Sequence, residues 1–252
     1  MTTQTLPTSL IVNPRMVSRM FCFTVLIVVS LRAGSPGVHG QDPPAAIVTE
    51  LTPDNWDQMA PRGKEADAIY GDFVMRNDHI TAVIARPGHR RHANMTVRDV
   101  GGCLIDLEAN NSSGDQLSAF YPGRKVQAYT SARILTAGEP TPGVPPSNPG
   151  ELESAARVEV LAPGSETAPE HRTVWILRPG AKHLEIVSCW RNTTPSDITL
   201  TPEDAIRADG GKEWMNKSPN GDHTLFCIED TFWQQAYGVF AGAGLRSNSN
   251  PR

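Results

Sequence analysis

The densest cluster of chemistry-bearing side chains in the sequence is His89-Arg90-Arg91-His92, with Arg86 and Arg98 close by. Two histidines at this spacing could meet a metal ion from one helical turn, but no third ligand follows at a recognisable spacing. The cluster is expected to be a solvated loop or a contact for an anion or sugar phosphate, because guanidinium groups pair with carboxylate and phosphate oxygens. A second, more diffuse group is acidic: Asp204, Asp209 and Glu213, then Asp222, His223, Glu229 and Asp230. Paired carboxylates can bind calcium or work as acid and base. The spacing fits no calcium loop, and Thr201-Pro202-Glu203-Asp204 reads as a helix N-capping sequence. Asp204, Asp209 and His223 remain a candidate acidic site for a polysaccharide-acting hydrolase or lyase.

Five tryptophans could include a platform for stacking on sugar rings. Trp175 and Trp190 lie in apolar runs and are expected in the core. Trp214 and Trp233 lie in polar stretches and are the candidates for ligand contact. Cys103 beside a histidine could be a nucleophile, but a buried structural thiol is the stronger reading. No Gly-x-Ser-x-Gly, His-Glu-x-x-His or phosphate-loop motif occurs. No catalytic residue, metal ligand or cofactor is therefore assigned.

The N-terminus reads as a targeting segment. Arg15, Arg19 and Arg32 stand in the first forty residues without an acid, and Met20–Leu31 is an apolar run too short for a helical membrane span. Cleavage after Gly40 would give a secreted or periplasmic chain and would remove Cys22. An uncleaved membrane anchor is the alternative. Cys103, Cys189 and Cys227 would remain, as one bridge with one free thiol or as three buried thiols.

Those residues need elements to hold them. The chain has 252 residues, with 21 Gly and 21 Pro, which favours many turns over a helical bundle. A net charge of -4 gives no reason to expect nucleic acid or an anionic membrane as partner. Thr52-Pro53-Asp54-Asn55 reads as the start of a short helix, Thr52 capping it, within a lead-in at 41–68. Arg76-Asn77-Asp78-His79 reads as a hairpin turn between two apolar strands, with Asn-Asp taking positive φ. Further strands are expected at Cys103–Leu107, Leu117–Tyr121, Val126–Leu135, Arg157–Leu161, Thr173–Leu177, Leu184–Arg191, Ile198–Leu200, Thr224–Ile228 and Ala236–Phe240. Both faces of Leu184–Arg191 are partly apolar, which suits a strand covered on both sides. Thr136–Gly150, with five Pro and three Gly, reads as an exposed loop. The pattern is mainly β: an antiparallel sandwich over 69–252 with short helices and long Pro/Gly-rich loops.

Three segments together carry a resemblance. They are Gly71–Asp78 with Ile80–Ile84, Gly101–Leu107 with Asp115-Gln116-Leu117, and Leu177-Arg178-Pro179-Gly180 through Glu185, Trp190–Thr193 and Ile198–Leu200. They resemble the N-terminal β-rich region of large exported bacterial proteins, many of which carry a PHP-type metallohydrolase domain downstream. The third segment is also similar to galactose-mutarotase-like supersandwich domains. The resemblance implies a β-sandwich and places the family's catalysis elsewhere, since no His-x-His motif of the PHP type occurs here. The residues after Phe240 read as a connection to a next element. The expectation is a non-catalytic accessory module that contacts carbohydrate, another domain or another protein. A purely structural interaction module is the remaining alternative.

Overall fold

The computed structural model describes residues 4–5, 10–12, 21–30, 44–61, 66–110, 116–125, 128–141, 144, 152–200, 203–217, 223–232 and 234–241. Trp233 and the stretch after Ala241 lie outside them. Among the described residues the chain begins with β1 (Gln4–Thr5), β2 (Leu10–Val12), β3 (Phe21–Ser30) and β4 (Ile47–Glu50). The helix α1 (Trp56–Met59) leads to β5 (Phe73–Arg76), β6 (Ile80–Ile84), β7 (Leu104–Ala109) and β8 (Leu117–Tyr121). A 3-10 turn at Pro122–Lys125 precedes β9 (Ser131–Ile134), β10 (Ala156–Ala162), β11 (Glu170–Leu177) and β12 (His183–Arg191). The last strands are β13 (Ile198–Leu200), β14 (Ala205–Ala208), β15 (Lys212–Lys217), β16 (His223–Asp230) and β17 (Gln235–Ala241).

The fold is a mainly β, antiparallel sandwich. Among the described residues one sheet runs β1-β14-β8-β7-β6-β5-β4 and the other β15-β16-β17-β3-β12-β11-β10-β9. Their inner faces make the main core. Phe73, Met75, Ile84, Leu104 and Phe120 of the first sheet meet Val158, Val160, Trp175, Ile186 and Tyr237 of the second. Trp175 and Phe120 touch edge to face, ring centroids 6.3 Å apart. Alternation sends the next residues outward, where they are buried again. On the first sheet Val74, Val83 and Ile105 pack beneath Leu51, Val97 and Val100. On the second, Val174, Ile176, Val187 and Cys189 pack beneath Leu135, Val144 and Ala155. β12 is thus covered on both faces, as its sequence indicates. Ile84, Ile105, Ile176, Ile186 and Trp190 are all buried, as expected.

Four local readings need correction. The helix begins at Trp56 with Asn55 as N-cap. Asn55 Oδ1 instead accepts the Thr52 N–H at 2.8 Å, which folds 52–55 into a turn before the helix. Glu203-Asp204 leads into strand β14, not a helix. The Pro-rich loop is not wholly exposed. Arg157, buried in β10, donates to the Glu139 carbonyl at 2.6 Å and to Thr141 Oγ1 at 2.8 Å, and Thr141 is buried. The β5–β6 turn needs no positive φ at Asn77 or Asp78. Asn77 Oδ1 accepts the N–H groups of His79 and Ile80, both at 2.9 Å, and an Asx turn does the work.

The other end of Asn77 crosses between the sheets. Its Nδ2 donates to the carbonyls of Arg178 and Ala181, each at 2.8 Å, in the β11–β12 turn. One buried amide therefore closes two turns from opposite layers. Asn77→Ala should lower the unfolding free energy by about 2–3 kcal/mol, because four side-chain-to-backbone hydrogen bonds are lost. Urea denaturation checks this. A loss below about 0.5 kcal/mol would show that water replaces the amide.

Candidate functional site

The β6–β7 connection leaves the first sheet at Ala85 and returns at Cys103. Two backbone bonds close it: Ala85 N–H to the Cys103 carbonyl at 2.9 Å and Gly102 N–H to the Ala85 carbonyl at 2.7 Å. Within the loop, Val100 N–H donates to the Arg91 carbonyl at 2.8 Å. Two of its non-glycine residues take positive φ, Arg90 at 52° and Asp99 at 56°. Tyr121 Oη donates to the Arg98 carbonyl at 3.1 Å, and Arg207 Nη1 to the Thr96 carbonyl at 2.6 Å. Strands β8 and β14 thereby hold the loop in place.

Beside this loop lies a cavity of about 550 Å³, lined by Gly88–Arg91, Asp99, Gly101, Cys103, Pro122, Ala128 and Tyr129. His89 and Arg90 are exposed. Arg91 is committed elsewhere. Its Nη2 donates to the buried Asp72 carboxylate at 2.6 Å and to the Asp67 carbonyl at 3.1 Å, and its Nη1 to the His92 carbonyl. Asp72 also accepts the N–H groups of Ile69 and Arg86, so Arg91 is an internal tie. His92 accepts the Asp99 N–H on Nδ1 at 3.0 Å. Of the four clustered residues, three line the cavity and His92 braces the loop behind it.

Behind Tyr129 sits a buried polar chain that sequence reasoning missed. Tyr129 Oη lies 2.6 Å from Thr173 Oγ1, which lies 3.0 Å from Ser188 Oγ. His171 Nε2 is 3.3 Å from Thr173 Oγ1, and its ring stacks on Trp190 with centroids 4.3 Å apart. Burial pushes the His171 imidazole down to about 3. Burial also raises the Tyr129 phenol well above its ordinary value, against the pull of its Thr173 hydrogen bond. Both are neutral at pH 7. Asp204 is partly exposed as a residue, and its carboxylate accepts the Gly123 N–H at 3.0 Å. Burial pushes that carboxyl up to about 6 in spite of the bond.

The remaining candidates do not join this site. Asp204 and Asp209 flank β14 at opposite ends, separated by roughly 15 Å at the usual strand rise. His223 starts β16 in the other sheet, and Trp214 lies on β15 opposite Cys227. Among the described residues no three His, Cys, Asp or Glu side chains converge as a metal site would need. No family model matches the sequence, and no curated protein or solved structure matches the chain.

Proposed function

We propose that the chain is an exported, non-catalytic β-sandwich module that contacts an acidic carbohydrate through the cavity beside Arg90. One observation carries this: a cavity of about 550 Å³ with Tyr129 in its wall and His89 and Arg90 on its lining loop. Small-ligand sites of roughly 300–1,000 Å³ are typical, and they combine apolar walls with a few placed polar groups. The wall formed by Pro122, Ala128 and Tyr129 offers an apolar surface to a sugar, and the Arg90 guanidinium pairs with its carboxylate or sulfate. Arg91, neutralised by Asp72, shapes the loop and leaves the ligand to Arg90. Export rests on the arginine-flanked apolar run near the N-terminus, and the protein would be secreted or periplasmic. The hydrolase or lyase reading has less support, because Asp204 and Asp209 stand apart and His223 belongs to the other sheet.

A glycan array of neutral, uronic-acid and sulfated oligosaccharides tests the reading, with wild type beside Arg90→Gly. Acidic glycans should bind wild type, and the variant should lose about 10- to 100-fold in affinity, the worth of one charged hydrogen-bonding partner. Its stability should stay level or rise by up to about 1 kcal/mol, because glycine relieves the positive φ at residue 90. Absence of acidic-glycan binding, or equal binding by the variant, would overturn the reading.

A further inference from the structure

Phe21–Ser30 has the composition of a leader, yet it lies inside the eight-stranded sheet as β3. β12 runs antiparallel along one side, from the His183–Val28 pair to the Trp190–Phe21 pair. β17 runs along the other, from Ala236–Ser30 to Ala241–Val25. In one row across the three strands Leu184, Ile27 and Val239 are register partners, and all three belong to the main core. Ile27 is 0% exposed. Thr24, Val25, Ile27, Val28 and Val29 are β-branched, the residue type that a buried strand favours.

Within this sheet β3 alone joins β15–β17 to β12 and its neighbours β11, β10 and β9. Its removal would split the sheet, leave two lines of backbone N–H and C=O groups without partners and open an apolar row to water. A second, independent observation concerns the cysteines. Cys189 is disulfide-bonded, whereas Cys103 and Cys227 are free thiols. Cys22 lies directly opposite Cys189 in the β3–β12 register.

We propose that Phe21–Ser30 is a permanent strand of the folded protein and that a Cys22–Cys189 bridge fastens it there. A targeting step that reads this segment would then end in its docking, not its removal. The bridge forms as the two thiols pass two electrons and two protons to a protein disulfide of the exporting compartment, which becomes a dithiol. The inference rests on the export reading for that oxidant and is independent of what fills the cavity.

The full chain, expressed with export and purified without reductant, tests it. Thiols are counted in denaturant, the N-terminus is read by mass spectrometry and the thermal midpoint is measured. Wild type should retain residues 21–30 and show two titratable thiols, Cys103 and Cys227, and Cys22→Ser should show three. Ile27→Asp should lower the midpoint by more than about 10 °C. Where that variant fails to accumulate, Ile27→Ala should still lower it by roughly 5–15 °C. A wild-type chain that starts near Gln41, shows three thiols and has the same midpoint with either Ile27 variant overturns the proposal. So does a bridge from Cys189 to Cys103 or Cys227.

Discussion

Gly102→Ala is expected to lower the unfolding free energy by about 2–5 kcal/mol. Two terms add. Gly102 has φ +80°, where a Cβ clashes with the backbone at a cost of about 1–2 kcal/mol. That Cβ would also sit 2.5 Å from Cδ2 and 2.8 Å from Cγ of Tyr129. Overpacking of this kind typically costs about 1–3 kcal/mol. The ring has little room to retreat, because Tyr129 Oη is tied to Thr173 and Trp175 Nε1 donates to the Gly102 carbonyl at 3.3 Å. Gly138 separates the terms. It has nearly the same φ, +81°, and nothing within 4 Å of an added Cβ. Gly138→Ala should lose only the backbone share, about 1–2 kcal/mol. Equal losses in chemical denaturation would show that Tyr129 moves aside freely and that the cavity wall is soft.

That comparison also marks what a sequence can hold. Gly101-Gly102 before an apolar run is legible as a turn into a strand, and the strand is β7. The ring facing Gly102 is 27 residues further on in the loop before β9, and no local pattern points to it. Most core strands were readable because Val, Ile, Leu and aromatic residues recur with period two between Gly, Pro and Asn turns. β14 and β15 were not. Ala205-Ile206-Arg207-Ala208 is too short and too small to stand out, and Lys212–Lys217 has the polarity of a loop. The His171–Trp190 stack was legible in principle. The Arg178-Pro179-Gly180 turn fixes the β11–β12 register, which sets His171 opposite Trp190. The apolar run at Phe21–Ser30 is legible as a segment that avoids water, and the sheet pairs it as β3 between β12 and β17.

The second large effect is on the pH dependence of stability, and it comes from two buried groups that oppose each other. His171 has an ordinary value of 6.5 and is pushed down to about 3 by burial. Between these values the unfolded chain binds a proton that the folded chain refuses. Acid therefore withdraws stability, by about 1.4 kcal/mol per pH unit. Asp204 runs the other way, from an ordinary 3.8 up to about 6, again through burial. Between those values the folded chain takes a proton that the unfolded chain does not, so acid adds stability at the same slope. From about pH 6 to pH 4 the two contributions cancel. Glu185 joins only below about pH 4.5. Burial works against its charge, but hydrogen bonds from His183 and Arg178 prevail and hold it at about 2. Asp204→Asn keeps the shape and an oxygen to accept the Gly123 N–H, and it removes one arm of the balance. At pH 7 the variant should be more stable than wild type by up to about 3 kcal/mol, because wild type holds a buried charge there. By pH 4 the advantage should be gone, since the wild-type carboxyl is then neutral in the fold. Glu185 and the remaining carboxylates are common to both proteins and drop out of the difference. Urea unfolding at half-unit steps from pH 7 to pH 4 measures it. Two parallel curves would mean that the Asp204 carboxyl is solvated in the fold.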